Sequence, residues 1–280
     1  MLSRRVLWGV FMTMLTTTLA NGVECKYTLD DKGEKHGEVR CFNAKGVLTD
    51  LQNWKHGKWH GAWKKWTDEG RLYQEESYDD QRQHGRFRDW DDKTGFPKTE
   101  GHYAFGQKVG EWRNYFDAAP GGRVYNITVY SQISKPDESS VEIGDSMYAD
   151  EGRMTQQTKR DLKSGVTIRE FFHSNGMRRE HVEDNEKTKL WERRTYSETG
   201  KLARIERMKD GQTHGLQETL ADNGHREVEC YLAAQRRDSL AGCGGKTKLA
   251  ADGSEIVRRT WEDAEPREEF RLVNGVREGE

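Results

Sequence analysis

Large apolar side chains recur along this chain at fixed distances from a turn that ends in glycine. Phe42 stands four residues before Gly46 and Leu48 two residues after it. The apolar residues four positions before a turn glycine are Phe42, Trp66, Tyr148, Phe172, Tyr196, Leu220 and Leu249. The later turn glycines, each 24 residues from the next, are Gly152, Gly176, Gly200 and Gly224. A period of this length indicates a tandem array of one small structural unit.

The turn residues predict a β-hairpin in each unit. In Asn43-Ala44-Lys45-Gly46 the asparagine side chain accepts hydrogen bonds from the backbone, and glycine supplies the positive φ that closes the turn. We expect the apolar residues on the two sides of the turn to face each other across neighbouring strands. A second turn is predicted where histidine or valine precedes glycine, at His36-Gly37, His60-Gly61, His84-Gly85, Val109-Gly110 and His214-Gly215.

The composition favours a thin, elongated arrangement of these hairpins. Charged residues make up 34% of the chain and the mean hydropathy is −1.05, yet there are nine tryptophans and ten tyrosines. A disordered chain would not carry so many aromatic residues. A single hairpin is unstable alone, so stacked hairpins must share a narrow band of buried aromatic side chains.

Two segments resemble a known repeat family. Gly61-Ala62-Trp63-Lys64-Lys65-Trp66-Thr67-Asp68-Glu69-Gly70-Arg71-Leu72 and Gly110-Glu111-Trp112-Arg113-Asn114-Tyr115 are similar to the MORN-repeat variant of bacterial proteins in the YwqK-type antitoxin family. The resemblance covers residues 33–130 and continues in phase over 148–232. It implies an all-β fold, an elongated, twisted antiparallel sheet of about nine stacked hairpins. Residues 21–280 would form one array, with a loop insertion at 131–147 and a degenerate C-terminal cap at 245–280.

The first 20 residues are typical of an export signal. Arg4 and Arg5 precede an apolar stretch from Val6 to Leu19, and small residues end it at Ala20. Removing this segment takes away two arginines and no acidic residue, which changes the formal charge from −2 to −4. We therefore expect an exported protein, periplasmic in a Gram-negative cell and otherwise secreted.

The four cysteines fall into two local pairs. Cys25 lies near Cys41, and Cys230 lies near Cys243. An even number of cysteines in an oxidising compartment favours disulfides, so each pair is predicted to link neighbouring strands. No Cys-x-x-Cys spacing occurs, which disfavours a metal site built from cysteine.

The first four hairpins carry aromatic residues that most of the later hairpins lack. Eight residues after the turn glycine, Trp54, Tyr78 and Tyr103 give way to residues such as Arg160 and Asp184. We select this extra aromatic surface as the candidate partner-binding site, because aromatic residues are enriched where proteins meet. The alternative is that the N-terminal half is simply better packed. The selected residues are Trp54, Trp63, Tyr78, Phe87, Tyr103 and Trp112.

The sequence contains no strong signature of a metal site, an enzyme active site or a nucleic-acid-binding surface. The histidines His36, His60 and His84 recur with the repeat, but no second ligand recurs at a fixed offset, so no metal site is predicted. Signatures for a serine nucleophile, a phosphate-binding loop or a zinc protease do not occur, and we predict neither an enzyme nor a cofactor. Charges of both signs alternate along the chain, which disfavours nucleic acid as a partner.

Two functions are consistent with these features. The first is a protein-binding module, of the antitoxin or immunity type that the resemblance implies, which neutralises a toxin or effector in the cell envelope. The second is a structural scaffold that contacts peptidoglycan or lipid. A secreted effector encoded beside this protein would favour the first function.

Processing of the export signal can be measured directly. The chain recovered after export is expected to begin at Asn21, because signal peptidase cleaves after small residues. N-terminal sequencing and intact mass check this. An Ala20→Lys variant should keep its N-terminal segment, and an exported chain that still begins at Met1 would contradict the prediction.

Overall fold

The computed structural model describes residues 14–18, 22–116, 122–221, 223, 226–237, 243, 248–249, 255–260, 266–273 and 276–277. The described residues form antiparallel β-strands and no α-helix, which confirms the predicted all-β class. Within those ranges, no helix has the length and apolar character needed to cross a membrane. The chain divides into two compact units, residues 1–142 and 143–280.

Unit 1 is built of short antiparallel strands that follow one another in chain order. These strands are β1 (Met14–Thr18), β2 (Glu24–Thr28), β3 (Gly37–Phe42), β4 (Leu48–Lys55), β5 (Lys58–Trp66), β6 (Leu72–Asp79), β7 (Arg82–Gln83), β8 (Gly85–Trp90), β9 (Pro97–Ala104), β10 (Gln107–Tyr115) and β11 (Val124–Tyr130). Strands β7 and β8 both pair with β6, so they act as one strand interrupted at His84.

Unit 2 repeats the same arrangement. Its strands are β12 (Glu142–Tyr148), β13 (Met154–Asp161), β14 (Val166–Phe172), β15 (Arg178–Asn185), β16 (Leu190–Tyr196), β17 (Leu202–Lys209), β18 (Gln212–Thr213), β19 (Gly215–Leu220), β20 (Arg226–Leu232) and β21 (Gln235–Arg237). A separate four-stranded sheet lies in the segment predicted as the cap. Its strands are β22 (Lys248–Leu249), β23 (Glu255–Thr260), β24 (Pro266–Val273) and β25 (Val276–Arg277).

The predicted turns that end in glycine are confirmed where the structure describes them, and Gly224 and Gly253 lie outside the described residues. The confirmed turn glycines, all with positive φ, are Gly46, Gly70, Gly95, Gly152, Gly176 and Gly200. Asn43 Oδ1 accepts hydrogen bonds from the backbone N–H groups of Lys45 and Val47, both at 3.0 Å, and Gly46 has a φ of 78°. Phe42 then pairs with Leu48 across the turn, as predicted. Equivalent pairs are Trp66 with Leu72, Tyr115 with Val124, Tyr148 with Met154 and Tyr196 with Leu202. Each pair follows a register shift, which is the bulge that a three-to-five-residue hairpin loop introduces.

The second turn lies elsewhere than the sequence predicts. Both central residues have positive φ at His56-Gly57 and at Phe105-Gly106, which is the backbone of a two-residue type I′ hairpin turn. The predicted His60-Gly61 turn lies instead inside β5, where Gly61 has a φ of 85° and the β4–β5 register shifts. The histidine-glycine pairs are therefore bulges within or at the start of strands, and the true turns come a few residues earlier.

The glycines of these bulges lie opposite aromatic residues. The cross-strand pairs are Gly37 with Trp54, Gly61 with Tyr78, Gly85 with Tyr103 and Gly110 with Tyr130. Gly37, Gly61, Gly85 and Gly110 have φ values of 83°, 85°, 101° and 64°, a left-handed backbone that other residues adopt only with strain. The backbone of the bulge therefore requires glycine at these positions, which explains why the glycine recurs in unit 1 without forming a turn.

Two predicted boundaries change. The proposed loop at 131–147 holds strand β12 in its second part, and the two compact units divide between Glu142 and Ile143 within that segment. Part of the predicted export signal, Met14–Thr18, is strand β1 paired with β2. Residues 1–13 and the predicted cleavage position at Ala20 lie outside the described residues, so the signal stays a prediction.

Both predicted disulfides are confirmed. Cys25 and Cys41 are directly paired residues of β2 and β3 and are joined by a disulfide. Cys230 of β20 is joined to Cys243 and is fully buried. Few other described hydrophobic side chains are fully buried, which fits the thin architecture that the composition predicts.

Loss of the Cys25–Cys41 disulfide is expected to destabilise unit 1. A Cys25→Ala/Cys41→Ala variant should lose about 3 kcal/mol of unfolding free energy, because a cross-link over a loop of this length restricts the unfolded chain by about that amount. Urea unfolding followed by tryptophan fluorescence measures the change. The Cys230→Ala/Cys243→Ala variant tests the other bond in parallel, and an unchanged midpoint in the first variant would refute the prediction.

Candidate functional site

All six aromatic residues selected from the sequence lie on one face of the unit 1 strands. Paired residues of antiparallel strands point to the same side and neighbours along a strand alternate, so the register places each ring. Trp63 pairs with Gln52 and Glu76, whereas Trp66 lies on the opposite side, after the bulge between Lys65 and Trp66. We call the first side the aromatic face. Its rings are Tyr27, Trp54, Trp59, Trp63, Tyr78, Phe87, Tyr103, Trp112 and Tyr130.

The rings of the aromatic face form two clusters. In the first cluster the ring centroid of Trp59 lies 5.8 Å from Trp54, 5.0 Å from Trp63 and 5.3 Å from Tyr78. These tilted and edge-on contacts are favourable aromatic geometries. Trp59 was not selected from the sequence. It occupies the position two residues before the bulge glycine, where the other repeats carry unlike residues, so the repeat pattern alone did not mark it.

The second cluster contains Phe87, Tyr103 and Trp112. The Phe87 ring stacks on Trp112 at 5.5 Å, and Tyr103 meets Trp112 edge-on at 4.9 Å. Trp112 is only 2% exposed, and its Nε1 donates a hydrogen bond to the His102 carbonyl oxygen at 3.1 Å. Trp112 therefore packs the strand and offers little surface to a partner, which corrects its selection as a contact residue. The other five selected residues are half-buried.

A glycine makes room for the Trp112 ring. Gly101 is buried on β9, and a Cβ placed on it would lie 2.3 Å from the Trp112 ring. That separation is far inside van der Waals contact. The second cluster therefore depends on Gly101 for steric reasons, without any unusual backbone angle at that residue.

Lysines lie over the rings of both clusters. Lys35 Nζ is 4.8 Å from the ring centroid of Trp54 and 5.4 Å from that of Tyr27. Lys108 Nζ lies 4.3 Å from the Trp112 ring. Cation–π contacts of this kind are worth about 0.5–1 kcal/mol at exposed sites. The position two residues before a bulge glycine is occupied by Lys35, Trp59 and Lys108. In each of these repeats the side chain at this position packs against neighbouring rings of the aromatic face.

A row of polar side chains runs beside the rings on the same face. Directly paired residues form this row across the strands from β4 to β11, namely Asp50, Lys65, Gln74, Asp89, Thr99, Asn114 and Asn126. Asn114 Nδ2 donates to Asn126 Oδ1 at 3.0 Å, and Trp63 Nε1 donates to Asp50 Oδ1 at 2.9 Å. Burial raises the pKa of Asp50 and of Asp89 above the ordinary aspartate value. The aromatic face is thus amphipathic, with rings and hydrogen-bonding groups side by side.

A buried carboxylate lies among the rings of the first cluster. Glu76 is 5% exposed, and Gln83 Nε2 donates a hydrogen bond to its Oε2 at 2.6 Å. Burial raises the pKa of Tyr78, and the neighbouring Glu76 raises it further. Burial also raises the pKa of Tyr103, with a smaller effect from Glu76. A carboxylate in this place is stabilised only while its hydrogen bond is kept.

The opposite side of unit 1 carries a ladder of alternating charges, which we call the charged face. Directly paired residues in the order of the strands are Lys64, Glu75, Arg88, Glu100 and Arg113. Lys64 Nζ lies 2.8 Å from Glu75 Oε1, and Arg113 Nη1 lies 3.5 Å from Glu100 Oε1. The Tyr115 hydroxyl donates to Glu100 at 2.6 Å, and burial together with that carboxylate raises the pKa of Tyr115 to about 12. The two sides of the same strands therefore differ completely in chemistry.

Unit 2 carries ion-paired arginines at the position that Trp63 occupies in unit 1. Arg193 takes the place of Trp63, and its Nε donates to Glu206 at 2.6 Å. Arg169 takes the same place in the preceding repeat and lies 4.0 Å from Asp184. Unit 2 still carries a ring on the same side of β16, since Trp191 lies 5.7 Å from the Arg193 guanidinium.

The recurring histidines do not come together. His60 Nδ1 lies 3.1 Å from Asp79, and the His84 ring meets the ring of Phe105 at 5.4 Å. His36 lies 4.7 Å, ring to ring, from His56, a residue that the repeat pattern did not mark. The three members of the predicted ladder therefore have three different surroundings.

Comparisons with known proteins identify no family for this chain. No family model matches it, and no curated protein matches it. A chain of the solved structure described as "Crystal Structure of TcdB2-TccC3-TEV" is similar at 11% identity and a TM-score of 0.19, over 94% of this chain and 17% of that chain. This chain thus spans less than a fifth of that chain's length, and so weak a likeness supports no argument about fold or function.

The contact between Gly101 and Trp112 is testable by a double-mutant cycle. Gly101→Ala alone is expected to lower the unfolding free energy by about 1–3 kcal/mol, because the new methyl group overlaps the indole ring. In a Trp112→Ala background the same methyl group has space, so the additional loss should disappear. Urea unfolding of the four proteins gives the coupling, and additive losses would show that the close approach is not what excludes a side chain at residue 101.

Proposed function

We propose that this chain is a non-enzymatic, exported binding protein whose aromatic face in unit 1 contacts a protein partner. The observation that carries the proposal is the contrast between the units. The position that holds the half-buried rings of Trp63 and Phe87 in unit 1 holds the ion-paired Arg169 and Arg193 in unit 2. Since ion pairs serve the scaffold at that position, packing alone does not require those rings.

The chemistry of the aromatic face suits a protein surface. Tryptophan and tyrosine are enriched among the residues that contribute most to binding between proteins, and they act best beside polar groups that complete hydrogen bonds. Tyr78 and Tyr103 combine a ring with a hydroxyl group, and the polar row supplies amide and carboxylate groups close by. The two disulfides favour an oxidising compartment and so support the proposal of export.

The kind of partner is proposed from the resemblance to the YwqK-type antitoxin family. On this proposal the partner is a toxin or effector in the cell envelope, and binding neutralises it. The second candidate, a scaffold that contacts peptidoglycan or lipid, is favoured by the same amphipathic face, because rings beside polar groups also suit a glycan or a membrane interface.

The binding proposal is tested with a matched pair of double variants. The partner is first captured with the wild-type chain from the exported fraction of its source cells and then purified. Tyr78→Ala/Tyr103→Ala is expected to weaken its binding about 30-fold, the loss of about 2 kcal/mol typical of a central interface residue. Tyr148→Ala/Tyr196→Ala removes two half-buried tyrosines from unit 2 and should leave the affinity within about twofold of wild type.

The outcomes separate the two candidate functions. Equal affinities for the two double variants would refute the aromatic face as the binding site. Production of the purified partner should be toxic alone and harmless with the wild-type chain if neutralisation is the function. Binding to isolated peptidoglycan or lipid vesicles that requires Tyr78 and Tyr103, without a protein partner, would support the scaffold function instead.

A further inference from the structure

Three metal-ligating side chains meet at one end of the first hairpin of unit 1. Asp30 comes from the segment between β2 and β3, His36 directly precedes β3, and His56 lies in the type I′ turn between β4 and β5. One ligand atom from each residue lies within 4.8 Å of the other two. Nitrogen and oxygen ligands in such a group are those that zinc accepts.

The Asp30 carboxylate is fixed before any ligand arrives. Its Oδ1 accepts hydrogen bonds from the backbone N–H groups of Lys32 and Glu34, both at 2.9 Å. The side chain is 7% exposed, and Oδ2 lies 2.7 Å from His56 Nδ1. The hydrogen bond from His56, followed by the backbone bonds, lowers the pKa of Asp30 to about 2. The ionised carboxylate therefore uses Oδ1 to stabilise the turn, while Oδ2 is directed at His56.

The two histidines approach each other from different strands. Their ring centroids are 4.7 Å apart, and the His56 backbone N–H donates to His36 Nδ1 at 3.4 Å. The His56 side chain is 56% exposed, so the group is open to solvent on that side. A cation bound there would be reached directly from solution.

This group departs from the repeat, which distinguishes it from the scaffold. Histidine before the bulge glycine recurs at His60 and His84, but the turn position of His56 is taken by Asp80 and Phe105 in the next two hairpins. The His60–Asp79 contact at 3.1 Å is an ordinary two-residue pair. Within the part of the chain that the structure describes, only the first hairpin brings together three residues of this kind.

A further carboxylate lies beside the group without belonging to it. The Glu34 side chain lies against the His56-Gly57 turn, since its carboxyl carbon is 3.4 Å from the point where a Cβ of Gly57 would be. Lys35, the neighbouring cation, is held over the rings of Tyr27 and Trp54. The site therefore has three convergent ligands, and its adjacent lysine is engaged elsewhere.

We propose that Asp30, His36 and His56 form a zinc site, with a water molecule at the fourth position. On binding, the direct contact between the His56 ring and the Asp30 carboxylate would be replaced by bonds from both groups to the zinc ion. The ligand distances would be about 2.0–2.2 Å. The cation would join the segment between β2 and β3 to the β4–β5 turn. None of the three ligands is among the six residues selected for partner binding, and zinc binding is measured without the partner, so its test does not depend on the proposed function.

The test is a titration of the untagged full-length chain with zinc chloride alone. Isothermal titration calorimetry is expected to show one zinc ion per chain, and zinc should raise the melting temperature. His36→Ala, His56→Ala and Asp30→Asn should each weaken binding about tenfold or more, at least the loss seen when an outer-shell partner of a metal ligand is removed. Asp30→Asn keeps the side-chain oxygen that accepts the backbone bonds, so the turn should persist in that variant.

The controls decide whether zinc binding depends specifically on Asp30, His36 and His56. His60→Ala breaks the two-residue pair with Asp79 and should bind zinc like the wild type, and near-ultraviolet circular dichroism should show that every variant keeps its packed tryptophans. Absence of zinc binding in the wild-type chain would overturn the proposal. So would equal weakening by His60→Ala, or unchanged affinity in the Asp30 and His56 variants.

Discussion

Packing between side chains on neighbouring strands is the interaction on which each unit depends. The described strands of unit 1 have no helix to cover them, and very few of their hydrophobic side chains are fully buried. Rings and aliphatic stems must therefore shield one another on the surface of the sheet, each against its cross-strand partner. The close approach of the Trp112 ring to Gly101 is the local form of this constraint, because a side chain at residue 101 would occupy the space of the ring.

As a result, the two sides of unit 1 carry different kinds of side chain. On the charged face, Lys64, Glu75, Arg88, Glu100 and Arg113 form a ladder of alternating charges. Each exposed pair contributes at most about 1 kcal/mol, and such a ladder chiefly keeps that side solvated. The aromatic face collects the apolar contacts, and it also holds the buried Glu76 and a polar row. A partner that meets unit 1 on this side finds both ring surface and directional hydrogen-bonding groups.

The fold could be predicted from the sequence to the extent that it depends on local chemistry. The turn around Asn43 and the pairing of Phe42 with Leu48 follow from residues a few positions apart, and the two disulfides follow from spacing. The histidine-glycine pairs were misplaced because a recurrent glycine is equally typical of a turn and of a bulge. Their distinction depends on the pairing register with the neighbouring strands, such as the shift between β4 and β5 at Gly61, which a local pattern does not contain.

The candidate site was predictable in outline and not in detail. The aromatic residues of the first hairpins marked six positions that lie together on one face. It did not mark Trp59, which occupies a position where other repeats have lysine or glutamine, and it could not show that Trp112 is enclosed by Gly101. The meeting of Asp30 with His56 was also beyond sequence pattern, since neither residue recurs and the contact spans 26 positions.

The placement of the bulges and turns determines which insertions and deletions such a repeat protein tolerates during evolution. The turn after Trp90 has one residue more than the turns after Phe42 and Trp66, yet Trp90 still pairs across it with Pro97, so the addition is absorbed outside the strands. A residue added within a strand would reverse the side on which every later ring emerges, up to the next bulge. Duplication or deletion of a whole hairpin, by contrast, returns every side chain to its original side. Recombination between repeats can therefore lengthen or shorten the aromatic face in whole steps, while single insertions survive only in the turns.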